Sequence, residues 1–243
     1  MKSFLAYMAL FFSSFFIVPY HWYLQKLAKK NPKEAWERSY RLVKGFFNAE
    51  LKLVGCKITV LGEENIPKDT ACLFVGNHRS YFDILVSHNT VGFPAGFIAK
   101  AEMRKVPLLR LYMKDIGCLF LERDNIKQGL ETINKGAEYM KQGHSMILFP
   151  EGHRNQTDEF LPFKEGGYKM ADKSGCPIVP FAISGTDLIY ESAPGKKFTK
   201  GNVIIEYGKP IYPNEYPMKE RKAKYKEIPD IIKEMRSKHK LKK

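Results

Sequence analysis

One short stretch of the chain sets a proton acceptor and a carboxylate at a spacing that lets them meet: Asn77-His78-Arg79-Ser80-Tyr81-Phe82-Asp83. His78 follows an apolar run, where a strand would turn toward a helix. A helix starting near Ser80 or Tyr81, with Ser80 as a capping residue type, puts Asp83 in its first turn, within reach of His78. A carboxylate on one imidazole nitrogen holds the tautomer and stabilises the imidazolium, leaving the other nitrogen as general base. No serine or cysteine nucleophile is needed if the substrate's own hydroxyl attacks. Taken alone, a His/Asp pair at this spacing more often caps or packs than catalyses.

Three further positions share the placement of His78, each following an apolar run. They are Pro150-Glu151-Gly152-His153-Arg154, Glu122-Arg123-Asp124, and Lys100. A glycine lets the backbone approach a ligand closely, and an arginine grips a phosphate with two parallel charge-assisted bonds. Any one of these cations more readily pairs with a local carboxylate. Arg154, Arg123 and Lys100 on one edge beside His78 describe an anion pocket next to a base.

The elements that must position them alternate in type. Strand-like runs cover residues 58–61, 72–76, 96–99, 118–121, 146–149, 178–183 and 203–207, and helix-like segments cover 82–89, 108–114, 126–142 and 164–173. This order predicts an α/β fold, a largely parallel central sheet flanked by helices. In that architecture ligands bind at the carboxyl ends of the strands. With 243 residues, one large domain with a real core is expected, and no internal repeat or linker divides it.

The ends of the chain carry a different signal. Phe4 to Val18 is apolar but for two serines, and extended through Leu24 it could just span a core of ~30 Å. Pro19 and the aromatics behind it interrupt that rod, and no small-residue cleavage site comes after it. Trp36, Tyr40, Val43, Phe47, Leu51 and Val54 recur on one helical face, with basic residues elsewhere on the helix. The expectation is an N-terminal membrane-associated two-helix element over residues 1–56, lying in one leaflet, before a catalytic domain over residues 57–243. Spanning is the close alternative, and a helix that merely covers the core is the plainer one. Lys26, Lys29, Lys30 and Lys33 place the catalytic domain at the cytoplasmic face of a cell membrane.

A net charge of +14 points to an anionic partner. Half of it lies between Lys219 and Lys243, where 11 Lys/Arg stand against 4 Asp/Glu with helical apolar spacing. That segment reads as an amphipathic helix packed on the domain, also suited to an anionic membrane surface. Aromatics interleaved with basic residues in a nucleic-acid module are not visible, so nucleic acid is not expected. The four cysteines lack Cys-x-x-Cys spacing and the histidines lack ligand spacing, so neither a disulfide framework nor a metal site is expected. His21, His88, His144 and His239 are read as structural or surface residues.

Four blocks now stand in order: Asn77 to Asp83, Phe120 to Arg123, Phe149 to Arg154, and Ile178-Val179-Pro180-Phe181. Together they resemble the glycerolipid acyltransferase family over roughly residues 70 to 190. The resemblance implies transfer of an acyl chain from a thioester of acyl-carrier protein or coenzyme A to the 2-hydroxyl of 1-acyl-sn-glycerol-3-phosphate, with no further cofactor. His78 would be the base and Asp83 its partner. Arg154 would hold the acceptor phosphate with Lys100 and Arg123 as helpers, and Glu151 and Gly152 would shape that pocket. The family usually has Thr where this chain has His153, which is expected to face solvent. Glycerol-3-phosphate or another lysophospholipid is the alternative acceptor. A non-catalytic basic membrane-binding protein is the alternative from another class.

Overall fold

The apolar runs become strands because both of their faces are covered. The computed structural model describes residues 18–122, 125–155, 157 and 159–239. Its strands are β1 (Cys56–Leu61), β2 (Leu73–Gly76), β3 (Ala95–Lys100), β4 (Leu119–Leu121), β5 (Ser145–Leu148), β6 (Ile178–Ser184) and β7 (Gly201–Tyr207). They form one sheet in the order β1-β7-β6-β2-β5-β3-β4. The five strands from β6 to β4 run parallel, as the alternation of elements predicts. β7 is antiparallel to β6 and carries β1 parallel beside it. Leu73, Phe74 and Val75 of the central strand have no exposure at all, as continuous burial of a parallel sheet demands.

Among the described residues seven α-helices surround this sheet: α1 over residues 18–30, α2 (Pro32–Val54), α3 (Phe82–Thr90), α4 (Leu109–Asp115), α5 (Ile126–Lys141), α6 (Lys169–Ser174) and α7 (Met218–Lys238). After β2 the chain leaves through α3 toward β3, whereas β6 lies on the other side of β2. A reversal of this kind opens a crevice at the carboxyl end of the strand where it occurs. Gly76 closes β2 at that point. A Cβ there would lie 2.2 Å from the Phe181 ring, so only glycine lets β2 and β6 stay paired where the loop begins.

Helix α2 starts where Asn31 accepts a hydrogen bond from the Glu34 backbone N–H (3.2 Å), with proline in the first turn, and stops at Gly55, whose φ is 76°. Its apolar stripe covers the core, the plainer of the readings its periodicity allows. Tyr40, Val43, Leu51 and Val54 are buried in the protein's own core, and Trp36 stacks on His144 at 4.3 Å. Periodicity reports that a face is apolar, not what covers it. α7 behaves in the same way, burying Tyr225, Ile228, Ile232 and Met235 with the core and turning its charges outward. Among the described residues no helix is long and apolar enough to cross a membrane. The Phe4–Val18 run lies, apart from Val18, outside the described residues.

Two of the histidines read as structural sit deep in this core. His88 is enclosed by the rings of Tyr40, Phe47 and Phe97, and His144 lies against Trp36 with its Nε2 3.1 Å from the Ile116 carbonyl. Burial pushes their pKa values from 6.5 down to about 4 and about 3. Both are neutral in the folded chain but protonate near 6.5 once it unfolds, so the unfolded state binds more protons between those limits. Their contribution to stability is therefore complete above about pH 6.5 and is lost as the pH falls through 6.5 toward 4. At pH 5 each costs about 2 kcal/mol. Denaturant unfolding at pH 7.5 and pH 5 should differ accordingly, and His88→Phe should narrow the gap. Equal stability at both values would rule out buried neutral rings.

Candidate active site

The local sequence alone brings His78 and Asp83 together. α3 starts at Phe82, so Asp83 is its second residue and its side chain can turn back over the preceding loop. Asp83 Oδ2 accepts the backbone N–H of Arg79 (2.6 Å) and of Ser80 (2.8 Å), satisfying donors of the loop that leads into the helix. The same oxygen lies 2.9 Å from Nδ1 of His78. A carboxylate at a helix N-terminus also gains from the helix dipole. Asp83 is wholly buried, whereas the His78 side chain is 14% exposed. The His78 ring stacks on Phe149 at 4.4 Å and 16°. With Nδ1 directed at the carboxylate, Nε2 is left as the proton acceptor.

The loop after β5 braces this arrangement from beneath. Glu151, only 3% exposed, accepts the His78 backbone N–H (2.9 Å), the Asn155 side-chain amide (3.0 Å) and the Leu161 N–H (3.1 Å). In turn the Asn155 N–H donates to the His78 carbonyl at 2.7 Å. Glu151 is thus directed at backbone. Gly152 turns the loop at φ 73°. His153 is exposed, as expected of it.

The cations are less gathered than their strand-end positions suggest. Arg154 comes two residues after Gly152 and lies flat on the Tyr81 ring, 3.6 Å from its centroid, with Nη1 3.3 Å from Glu191. Lys100 ends β3 on the same sheet edge, but its ammonium meets Glu102 at 2.9 Å in an exposed pair. Arg123 lies outside the described residues.

Motif reading missed the loop after β6. Thr186 donates its hydroxyl to Asp83 Oδ1 at 2.5 Å, filling the oxygen that His78 does not use. Asp187 pairs with Arg79 at 3.2 Å, and Arg79 also reaches the Thr157 carbonyl. Glu191 accepts the Ser80 hydroxyl (2.6 Å) and the Tyr81 N–H (3.0 Å). The strand-end rule pointed to this loop, which starts at Gly185, but nothing in its sequence says that it grips residues some hundred positions earlier.

Three of the four thiols are not nucleophiles at neutral pH. Burial raises the Cys72 and Cys118 thiols to about 12 and Cys56 to about 11, so none is a thiolate at neutral pH. What the site can do is take a proton from a bound hydroxyl, disperse the charge through Asp83, and return the proton to a leaving group.

A largely parallel α/β sheet with a hydrogen-bonded His/Asp pair at its carboxyl edge sets the class, and residues 57–184 match the acyltransferase family; the chain belongs to that family. Among particular relatives, the 1-acyl-sn-glycerol-3-phosphate acyltransferase of Borreliella burgdorferi is 30% identical over 180 residues, 74% of this chain and 68% of that protein. The probable 1-acyl-sn-glycerol-3-phosphate acyltransferase of Mycoplasma pneumoniae is 34% identical over 182 residues, 73% of this chain and 65% of the other. The yeast enzyme of the same name as the first is 34% identical over 171 residues, 68% of this chain but 55% of its own length. The crystal structure of the 1-acyl-sn-glycerophosphate (LPA) acyltransferase PlsC from Thermotoga maritima aligns over 97% of each chain, with a TM-score of 0.72 and 25% identity.

Proposed function

We propose that this acyltransferase moves an acyl chain from an acyl-carrier-protein or coenzyme A thioester to the 2-hydroxyl of 1-acyl-sn-glycerol-3-phosphate, making phosphatidic acid. The reading is carried by His78 Nδ1 and Asp83 Oδ2, 2.9 Å apart in a loop that shares Glu191 with Arg154. Nε2 of His78 takes the hydroxyl proton as the oxygen attacks the thioester carbonyl. The C–S bond of the tetrahedral oxyanion then breaks, and the imidazolium protonates the departing thiolate. The carboxylate of Asp83 stabilises the imidazolium throughout. The guanidinium of Arg154 holds the acceptor phosphate. Lys100 assists after leaving Glu102, a small cost because exposed pairs are worth at most about 1 kcal/mol. Arg123, two residues beyond β4, is the third cation.

The lipid nature of acceptor and product asks for a membrane surface, here the cytoplasmic face. Supporting this are the exposed Trp22 and Tyr23 on α1, and the exposed Val106 and Leu109 just before and at the start of α4. The cations Lys26, Lys29, Arg104, Lys105 and Arg110 are on the same two segments. His21 and Gln25 of α1 both reach Asp115 at the end of α4, at 2.7 Å and 3.0 Å, which ties the two segments together.

Purified protein, an acyl thioester and lysophosphatidate in anionic vesicles should give phosphatidic acid and free thiol in equal amounts, with glycerol-3-phosphate a far poorer acceptor. Val106→Glu with Leu109→Glu should weaken sedimentation with those vesicles. Preferred acylation of glycerol-3-phosphate would overturn the substrate assignment, and unchanged sedimentation would overturn the surface.

A further inference from the structure

Glu191 stands at a junction that none of the sequence motifs includes. Its carboxylate is only 7% exposed. One oxygen accepts the Ser80 hydroxyl at 2.6 Å. The other accepts the Tyr81 N–H at 3.0 Å and faces Nη1 of Arg154 at 3.3 Å. The Tyr81 ring meanwhile covers one face of the same guanidinium at 3.6 Å.

This geometry restrains Arg154 without occupying it. A free carboxylate beside an arginine tends to form two parallel bonds and fill its planar fork. Here one oxygen holds the Ser80 hydroxyl and the other holds the Tyr81 N–H, and the pair makes a single contact, through Nη1. Tyr81 covers the guanidinium, Glu191 takes only its Nη1, and the Arg154 side chain is still 34% exposed. An oxyanion with two acceptor oxygens is the ligand such a fork takes.

We propose that Glu191 is a positioning residue for the acceptor phosphate, acting through Arg154. The proposal rests on Arg154 being the phosphate ligand. Holding a long, rotamer-rich side chain in its binding pose before the substrate arrives reduces the entropy lost on binding. Glu191 therefore acts on acceptor KM and leaves the proton transfer alone.

The test is a double-mutant cycle on the full chain, with acceptor and donor KM and kcat measured for wild type, Glu191→Ala, Arg154→Ala and the double variant. Glu191→Ala should raise acceptor KM about tenfold, with kcat and donor KM within about twofold. In the Arg154→Ala background it should add nothing further. Glu191→Gln, with its amide oxygen toward the Tyr81 N–H and Arg154 and its NH₂ toward the Ser80 hydroxyl, which can turn to accept, should restore most of the KM. Multiplying effects of the two substitutions, or an equal fall in kcat and kcat/KM, would overturn the proposal and assign Glu191 to the His78 loop. An unchanged acceptor KM in Arg154→Ala would instead overturn the phosphate reading, and this proposal with it. Should Glu191→Ala fail to fold, Glu191→Asp enters the same cycle, because its shorter side chain cannot keep all three contacts.

Discussion

Replacing His78 with alanine is expected to lower kcat by about 10²–10⁴, with the fold intact and acceptor KM little changed. In the proposed mechanism the imidazole has two tasks that no neighbour can take over. Its Nε2 is the acceptor that Asp83 leaves open, and its protonated form is the acid that meets the departing sulfur. Asp83 cannot substitute, because its two oxygens are committed to Arg79 N, Ser80 N and the Thr186 hydroxyl. Structural cost should be small, since the ring makes its side-chain contacts with Asp83 and Phe149 while the backbone stays held by Glu151 and Asn155. Initial rates with lysophosphatidate, beside a circular dichroism spectrum and a melting curve, give the answer. Near-normal turnover in folded His78→Ala protein would sink the mechanism.

Asp83→Asn should do less damage than the loss of the carboxylate suggests, lowering kcat by about 10²–10³. The hydrogen bonds around this residue decide how an amide would sit. Oδ2 receives two backbone N–H groups and faces Nδ1 of His78, so the amide oxygen must take that side. Its NH₂ then faces Thr186, whose hydroxyl can turn from donor to acceptor. Nδ1 therefore keeps its proton and Nε2 stays the base. What is lost is the negative charge beside the imidazolium. At about 4 Å and an effective dielectric of ~20 it is worth about 4 kcal/mol, part of which the amide dipole retains. Nitrogen NMR of His78 should show the Nδ1–H tautomer in both proteins. A variant as slow as His78→Ala with the proton moved to Nε2 would show that the amide sits the other way round. Wild-type turnover in Asp83→Asn would remove the charge from the mechanism altogether.

How much of the fold is legible in the sequence depends on the distance over which each interaction acts. The parallel sheet and every strand of it were legible, because buried β-branched runs alternate with amphipathic helices. The reversed direction of β7 was not, since an apolar run is the same in either orientation. The aromatic stripe of α2 was legible as a stripe, but what covers it was not. A membrane and a protein core are both apolar, and only the packing of Tyr40, Val43 and Leu51 under the domain distinguishes them.

The site divides in the same manner. By itself, the sequence determined that His78 and Asp83 meet, because they share one strand–turn–helix and backbone geometry alone brings them together. The acyltransferase motifs, and the strand-end position of Arg154, were legible for the same local reason. Tertiary structure decided what surrounds them. Thr186, Asp187 and Glu191 reach the His78 loop from the far side of β2, 103 to 111 residues along the chain. It also decided that Glu151 faces backbone while Arg154 lies restrained on Tyr81. Hydrogen bonds are short-ranged and directional, so a contact between distant segments exists only once the sheet order has brought those strand ends together.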